Sequence, residues 1–430
     1  MMNYEQTVAY LFNSAPSFQQ VGKDGYKEGL GNTYLLDKYF NHPHRLFHTI
    51  HVAGTNGKGS CSHTLAAIFQ AAGYKTGLFT SPHLIDFRER IRINGVPVPQ
   101  QFVIDFVEQH KVFFEPLHPS FFELTTAMAF YYFAQEQVDI AIIEVGLGGR
   151  LDCTNIIQPD LSIITNISFD HTQFLGDTLT KIASEKAGII KPYTPVVIGE
   201  TTEETKKVFL DKARLENAPI HFAEEEQHIT GYRINDEGQF VYDTKEYPQL
   251  EGELSGIYQI KNSNTILSAV SVLKSLGYHL DEASVRYGFS HVCESTGLMG
   301  RWQKLGDKPT IVCDAGHNVG GFEYITEQLQ EVSYKQLHIV FGMVNDKDIS
   351  GVLSLLPKDA IYYFTRASVQ RALPEQELQA LAGKVGLKGQ AFPDVHTALE
   401  AAKKAASPDD FIYVGGSCYI IADLLKFHIS

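Results

Sequence analysis

The stretch from Thr49 to Ser60, TIHVAGTNGKGS, constrains the chain more than any other. A short apolar run opens into a turn with glycines at 54, 57 and 59, one lysine, Lys58, and a hydroxyl, Ser60. Glycine lets successive backbone N–H groups turn inward and approach a polyphosphate, and the lysine adds a point charge. The residues that follow predict a helix over Cys61–Ala72, with Leu65, Ile68 and Phe69 on one face. That puts the turn at a helix N-terminus, which favours anions. Against the P-loop pattern, Val52 stands where the first glycine belongs, and Gly59 separates the lysine from the hydroxyl. The stretch is therefore a shortened phosphate cradle between a strand and a helix.

A chain of 430 residues exceeds one ordinary core, and two domains are expected. In the first, Val138–Val145 is a continuous apolar run carrying Glu144 at its end, the profile of a strand buried on both faces of a parallel sheet. A second strand, predicted over Leu161–Ile167, leads to Ser168, Phe169, Asp170 and His171. Ligands collect at the carboxyl ends of such strands. Beyond a helix around Asp281–Gly288, apolar runs at Thr310–Cys313, Leu337–Phe341, Ile361–Phe364 and Phe411–Val414 alternate with helical stretches. The expected fold is α/β: a P-loop ATPase domain with a mostly parallel sheet over residues 1–296, then a smaller Rossmann-like domain over 297–430.

A net charge of −14 argues against nonspecific binding to nucleic acid or anionic membrane. There is no apolar run long enough to span a bilayer and no signal-peptide pattern at the N-terminus. Five cysteines without a CxxC pair argue against a disulfide framework or structural zinc, and a reducing cytoplasm fits them. So acidic a chain must gather positive charge locally to hold phosphate.

Several further residues carry two readings. A helix predicted from about Thr178 to Ile190 has an apolar stripe of Leu175, Leu179, Ile182, Ala183 and Ile189, with Lys186 on that stripe and Lys181–Glu185 as an exposed i,i+4 pair. A lysine there either loses its proton through burial or snorkels near the helix C-terminus before Gly188. Ser81-Pro82 on its own marks a turn, and His171 is a structural or a ligating histidine. Asn262 on spacing alone reads as a helix-start residue. Phe121–Phe133 predicts an aromatic-rich helix burying Phe122, Thr126, Ala129 and Phe130, whereas residues 195–250 carry no motif.

GTNGKGS, TSPHL at 80–84, FFE at 121–123, EVGLGGRLD at 144–152, SEKAGI at 184–189, GRW from Gly300, DAGHN from Asp314 and FGMVNDKD from Phe341 together resemble the folylpolyglutamate synthase/dihydrofolate synthase family of the Mur-ligase group, over nearly the whole chain. The resemblance implies ATP-dependent amide formation between a folate-type carboxylate, from tetrahydrofolate polyglutamates or dihydropteroate, and L-glutamate, through an acyl phosphate. It assigns Gly57, Lys58, Gly59, Ser60 and Asn262 to ATP, with Arg301 and Asp314 reaching the nucleotide across an interdomain cleft. Ser81, Glu144 and His171 would hold one or two Mg2+ ions. Ser120, Phe121, Phe122 and Glu123, with Leu151, Asp152 and Cys153, would line the pterin pocket. Lys186 would carry CO2 as a carbamate, and His317 would lie near the incoming amino acid, so that Lys58, Lys186 and His317 form the catalytic set. A loop within 14–32 would help close on the pterin, with no residue of it assigned, and Val319 replaces the more usual proline. The expected partners are small molecules only, and a cytoplasmic monomer is expected. A GTP-binding switch fits less well, because Asn345-Asp346-Lys347-Asp348 has the wrong order for a guanine-reading NKxD. A ligase acting on cell-wall precursors is not expected to carry the FFE and GLGGRLD stretches.

Overall fold

The computed structural model describes residues 2–14, 29–235 and 238–429. Most of the loop expected within 14–32, residues 15–28, lies outside it. The chain forms two compact units: one comprises the residues up to Ser168, Thr172–Leu254 and Gln259–Leu298, the other Phe169–His171, Ser255–Tyr258 and Met299–Ser430.

The first unit is built on eight strands: β1 (His48–Ala53), β2 (Thr76–Phe79), β3 (Ile91–Ile93), β4 (Val96–Pro97), β5 (Ile140–Glu144), β6 (Leu161–Ile164), β7 (Val196–Ile198) and β8 (Ile220–Phe222). Their spatial order is β4-β3-β2-β5-β1-β6-β7-β8. β1 runs parallel to β5 and β6, with Val52 opposite Glu144 on one side and Ile163 on the other. Every residue of β5 is buried, which explains its unbroken apolar run: both faces of the sheet are covered. Only the pairings of β3, with β2 and with the edge strand β4, are antiparallel. A separate antiparallel sheet of β9 (Ile229–Ile234), β10 (Phe240–Thr244) and β11 (Leu250–Gly252) occupies part of the motif-free region.

Four local expectations are revised. The helix after the cradle starts at Lys58 and runs to Ala71, because Gly57, at φ +83°, turns the chain into it. β6 stops at Ile164, where Thr165 leaves the sheet to hydrogen-bond to the cradle. The stripe around Lys186 is split between Thr172–Leu175 and Leu179–Ala187, broken at Gly176 with φ +93°. Lys181 and Glu185 do not pair. The Lys181 ammonium reaches back to Asp177 at 2.8 Å, and Glu185 takes the two-donor fork of Arg150 at 2.9 and 3.1 Å, a stronger geometry than a single ammonium offers.

The second unit has six strands: β12 (Gln303–Asp307), β13 (Thr310–Asp314), β14 (Leu337–Phe341), β15 (Ile361–Phe364), β16 (Gly389–Ala391) and β17 (Phe411–Gly415), in the order β12-β13-β17-β14-β15-β16. All four expected apolar runs are strands here. The pairings are parallel except for that of β12 with β13.

In the first unit the cradle helix is held from behind by the helix Glu282–Ser290, and Gly288 is the point of closest approach. A Cβ there would lie 2.6 Å from the Ile68 nitrogen and 2.7 Å from its Cα, backbone atoms that cannot swing away. Gly288→Ala is therefore expected to destabilise the protein by about 1–3 kcal/mol through overpacking, measured as a lower denaturant midpoint at unchanged slope.

Candidate functional site

The cradle follows directly from β1. Gly54 adopts φ +145°, and a Cβ on it would fall 1.8 Å from Thr165 Oγ1. Gly57 is equally confined, since a Cβ would fall 2.2 Å from Asn262 Oδ1. Only glycine fits either place, and the turn opens into a helix N-terminus, whose first backbone N–H groups have no partner within the helix. Lys58 is the first residue of that helix, and Gly59 and Ser60 complete its opening. The Lys58 ammonium donates to the carbonyls of Gly54 and Thr55, both at 3.0 Å. Gln259 Nε2 donates to Ser60 Oγ at 3.1 Å, and Asn262 Nδ2 to Gln259 Oε1 at 2.9 Å. Asn262 thus lies inside the helix Tyr258–Ser275 and does not start it.

Glu144 closes β5 and is 3% exposed; one of its oxygens accepts from the Ser81 N–H at 3.3 Å. Lys186, 5% exposed, reaches the cradle and donates to the Gly54 carbonyl at 2.8 Å. Two lysine ammonium groups, on different helices, therefore use the same carbonyl oxygen. Among the described residues no group of three or more His, Cys, Asp or Glu side chains is placed to hold a metal ion. What Ser81 and Glu144 provide is one hydroxyl and one carboxylate, oxygen donors of the kind Mg2+ accepts while keeping waters and phosphate oxygens as its other ligands. His171, at φ +49°, belongs to the second unit, its Nε2 3.9 Å from Asp170 Oδ2.

Ser120 and Glu123 have a structural duty that the sequence motif did not reveal. They form a reciprocal cap on the helix Phe121–Gln135, with Glu123 N donating to Ser120 Oγ at 3.2 Å and Ser120 N to Glu123 Oε2 at 2.6 Å. Phe121 stacks on Phe12 at 4.4 Å, and the Arg90 guanidinium lies 5.1 Å from its ring centre. Phe122 is half-buried and sits on Gly146. Leu151 is half-buried, whereas Asp152 is 4% exposed and caps the short turn Cys153–Ile156. Burial pushes the Cys153 thiol well up, and the neighbouring Asp152 and Glu123 charges add to this.

In the second unit Asp314 closes β13. Its Oδ2 accepts from the Tyr258 hydroxyl at 2.5 Å and the Trp302 N–H at 2.8 Å, and its Oδ1 from the Gly316 N–H at 2.7 Å. Arg301, half-buried, donates to the Gly300 carbonyl at 3.1 Å. Asp170 is the hub of a cluster that includes His317. Its Oδ1 takes the Lys347 ammonium at 2.5 Å, and its Oδ2 lies 3.2 Å from His317 Nε2 and 3.1 Å from Asn318 Nδ2. Burial alone would raise this carboxyl; the Lys347 charge, helped by His171 and His317, outweighs it and holds the group well below the usual carboxylate range. Sequence reading places Asp170 in the polar cluster after β6 and Lys347 in the FGMVNDKD stretch, but gives neither residue a role of its own and does not pair them. They lie 177 positions apart, and no local pattern joins them.

Residues 52–270 match the Mur ligase middle domain and residues 300–418 the Mur ligase, glutamate ligase domain. The chain is 33% identical over 426 residues to the dihydrofolate synthase/folylpolyglutamate synthase of Bacillus subtilis, covering 94% of this chain and 96% of that protein. It is 32% identical over 438 residues to the bifunctional folylpolyglutamate synthase/dihydropteroate synthase assigned to Haloferax volcanii, covering 98% of this chain but spanning only 50% of that protein. Two solved structures share the fold. Escherichia coli FolC in complex with DHPP and ADP has a TM-score of 0.83 at 28% identity, covering 99% of this chain and 97% of that one. The Yersinia pestis bifunctional folylpolyglutamate synthase/dihydrofolate synthase, complexed with AMPPNP and Mn ion, has a TM-score of 0.83 at 27% identity, covering 100% and 99%.

Asp170 and Lys347 are each 8% exposed at the side chain. Removing one partner of a buried pair strands the other, so Asp170→Asn should cost about 3–5 kcal/mol at neutral pH. Because the folded-state pKa is depressed, this stabilisation is fully present above the unfolded value near 3.8 and disappears as pH falls through the lower folded one. Urea unfolding of both proteins should show the gap at pH 7 and its closure only below about pH 4.

Proposed function

The chain belongs to the folylpolyglutamate synthase/dihydrofolate synthase family of the Mur ligases, and from that premise we propose that it joins L-glutamate to a folate-type carboxylate at the expense of ATP. A carboxylate is a poor electrophile, and transfer of the γ-phosphoryl group of ATP makes it an acyl phosphate. The amine of L-glutamate attacks the carbonyl carbon, the tetrahedral intermediate expels phosphate, and the amide remains. Such chemistry needs positioning and charge stabilisation, without a protein nucleophile. The observation that carries this reading is the cradle itself: Gly54 and Gly57 in conformations only glycine tolerates, at the mouth of a helix whose first residue is Lys58.

In this reading the N–H groups of Gly57, Gly59 and Ser60 hold the phosphates, and Lys58 turns from the Gly54 and Thr55 carbonyls to the migrating phosphoryl group. Asn262 and, on the second unit, Arg301 and Asp314 serve the nucleotide. Ser81, Glu144 and His171 would hold Mg2+, which when bound neutralises phosphate charge. Phe121 and Phe122 offer ring faces to the pterin, beside Ser120, Glu123, Leu151, Asp152 and Cys153. His317, held by Asp170, serves the amino-acid side. The proposed boundary at 296/297 puts Arg301, Asp314 and His317 in the second domain, while Asp170, earlier in the chain, packs with the second unit.

Lys186 is proposed to react, as the unprotonated amine, with CO2, forming the N–C bond of a carbamate and releasing one proton. Two facts support this: its burial, and its convergence with Lys58 on one carbonyl oxygen, where two cations repel and an anion beside Lys58 is favoured.

Phosphate release with dihydropteroate, tetrahydrofolate or a cell-wall nucleotide precursor as acceptor, each with L-glutamate and ATP, tests the function. Turnover with a folate-type acceptor is expected, and turnover with the cell-wall precursor alone would overturn the reading. Lys186→Arg, which keeps the charge and cannot form a carbamate, should lose most activity, while Lys181→Ala, on the exposed Asp177 pair, should be nearly silent. Wild-type protein equilibrated with 13C-bicarbonate should show a carbamate carbon resonance that Lys186→Arg lacks; its absence from both would leave Lys186 a plain cation.

A further inference from the structure

We propose that His51 and Thr154 are positioning residues of the acceptor pocket: together they hold the Asp152 carboxylate, and through it the Gly146–Leu147 backbone on which Phe122 rests. The proposal rests on the assignment of Phe122 and its neighbours to the folate-type acceptor.

The starting point is a buried histidine that the reaction does not use. His51 lies on β1, the strand that leads into the cradle, with no exposure to solvent. Burial, and secondarily the charge of Lys191, pushes its imidazole down to about 3, so the ring is neutral and carries one N–H. Its Nε2 is 2.8 Å from Thr154 Oγ1, and that hydroxyl is 2.5 Å from Asp152 Oδ1.

The direction of this chain of hydrogen bonds follows from its far end. Asp152 receives the Thr154 N–H at 3.0 Å, the Leu147 N–H at 2.8 Å and a backbone bond from Gly146, besides the Thr154 hydroxyl. Four donors converge on a carboxylate with about four acceptor sites, which suits the ionised, acceptor-only form even though burial raises this carboxyl. The single hydroxyl proton of Thr154 is therefore committed to Asp152, and its oxygen must accept from His51. The ring is fixed as the Nε2–H tautomer, which leaves Nδ1 as the nitrogen with no proton. That atom is the buried one with no hydrogen-bond partner.

The chain ends at the pocket. A Cβ on Gly146 would lie 2.4 Å from the tip of the Phe122 ring and within 2.9 Å of two more of its carbons. The ring lies directly against the backbone that Asp152 fixes, so loosening the carboxylate loosens the floor under Phe122. His51 is thus tied to the acceptor site by four consecutive contacts, all within the first unit. None of them touches the cradle residues Gly57 to Ser60.

The test is Thr154→Val, which deletes the hydroxyl at nearly constant shape, assayed by varying acceptor, ATP and L-glutamate in turn. Losing a hydrogen bond to a charged group should raise KM for the folate-type acceptor about tenfold and leave KM for ATP and L-glutamate within about twofold. Thr154→Ser, which restores the donor, should bring the acceptor KM back to within about threefold of wild type. Unchanged acceptor KM, or an equal rise in all three, would overturn the proposal. Independently of any variant, 15N NMR of wild-type protein should show His51 neutral with the proton on Nε2, and a proton on Nδ1 would overturn it. If the wild type uses no folate-type acceptor at all, the functional reading falls first, while the tautomer still decides the hydrogen-bond chain.

Discussion

The close approach of Gly54 to Thr165 is the constraint on which the first unit's site depends. At 1.8 Å from a Cβ position to Thr165 Oγ1, no side chain can be accommodated, and the backbone there takes a φ of +145°. The approach is sealed from the other side as well: Thr165 Oγ1 donates to the Asn56 carbonyl at 2.5 Å, the Thr165 N–H to the Ala53 carbonyl at 3.0 Å, and the Asn56 N–H to Asn166 Oδ1 at 2.9 Å. The cradle is therefore shaped by the segment that leaves the neighbouring strand, more than by its own turn. The same geometry presents the Gly54 carbonyl to Lys58 and Lys186, which is how lysines 128 positions apart in the chain come to share an oxygen.

The buried carboxylates show how differently one side-chain type can be stabilised in a low-dielectric interior. Asp170 faces a cation and is held well below its ordinary pKa, whereas Asp152 faces only N–H and O–H dipoles and is raised by its burial. Asp314, too, is held by neutral donors, a phenol and two backbone N–H groups. Burial pushes the Tyr258 phenol well up, and the Asp314 charge adds to it, so the phenol stays a donor at any working pH. The consequence is functional as well as energetic. A carboxylate fixed by dipoles can hold a loop without carrying a counter-charge into an aromatic pocket, and one fixed by a buried lysine is little affected by salt.

Much of this was legible in the sequence, for identifiable reasons. Glycines at 54 and 57 stand out because the positive φ of a tight turn is a local demand, although the residues that crowd them, Thr165 and Asn262, are distant in sequence, and the all-apolar β5 announces a strand covered on both faces. The second unit's strands at Leu337–Phe341 and Ile361–Phe364 lie where their apolar runs begin and end. Lys186 was placed on a buried helix face by periodicity alone. Only the tertiary structure decided which partners distant residues would find. The sequence could not say that Lys186 ends on the Gly54 carbonyl, that Lys181 prefers Asp177 to Glu185, or that Asp170 joins Lys347 and His317. Nor could it show that His51, read as one more residue of a strand, begins a hydrogen-bond chain to Asp152. Periodicity and turn chemistry act over a few residues and are written in the local sequence. The pairing of buried polar groups is settled by which strand ends and helix faces the fold brings together, with desolvation penalising every arrangement that leaves one unmatched.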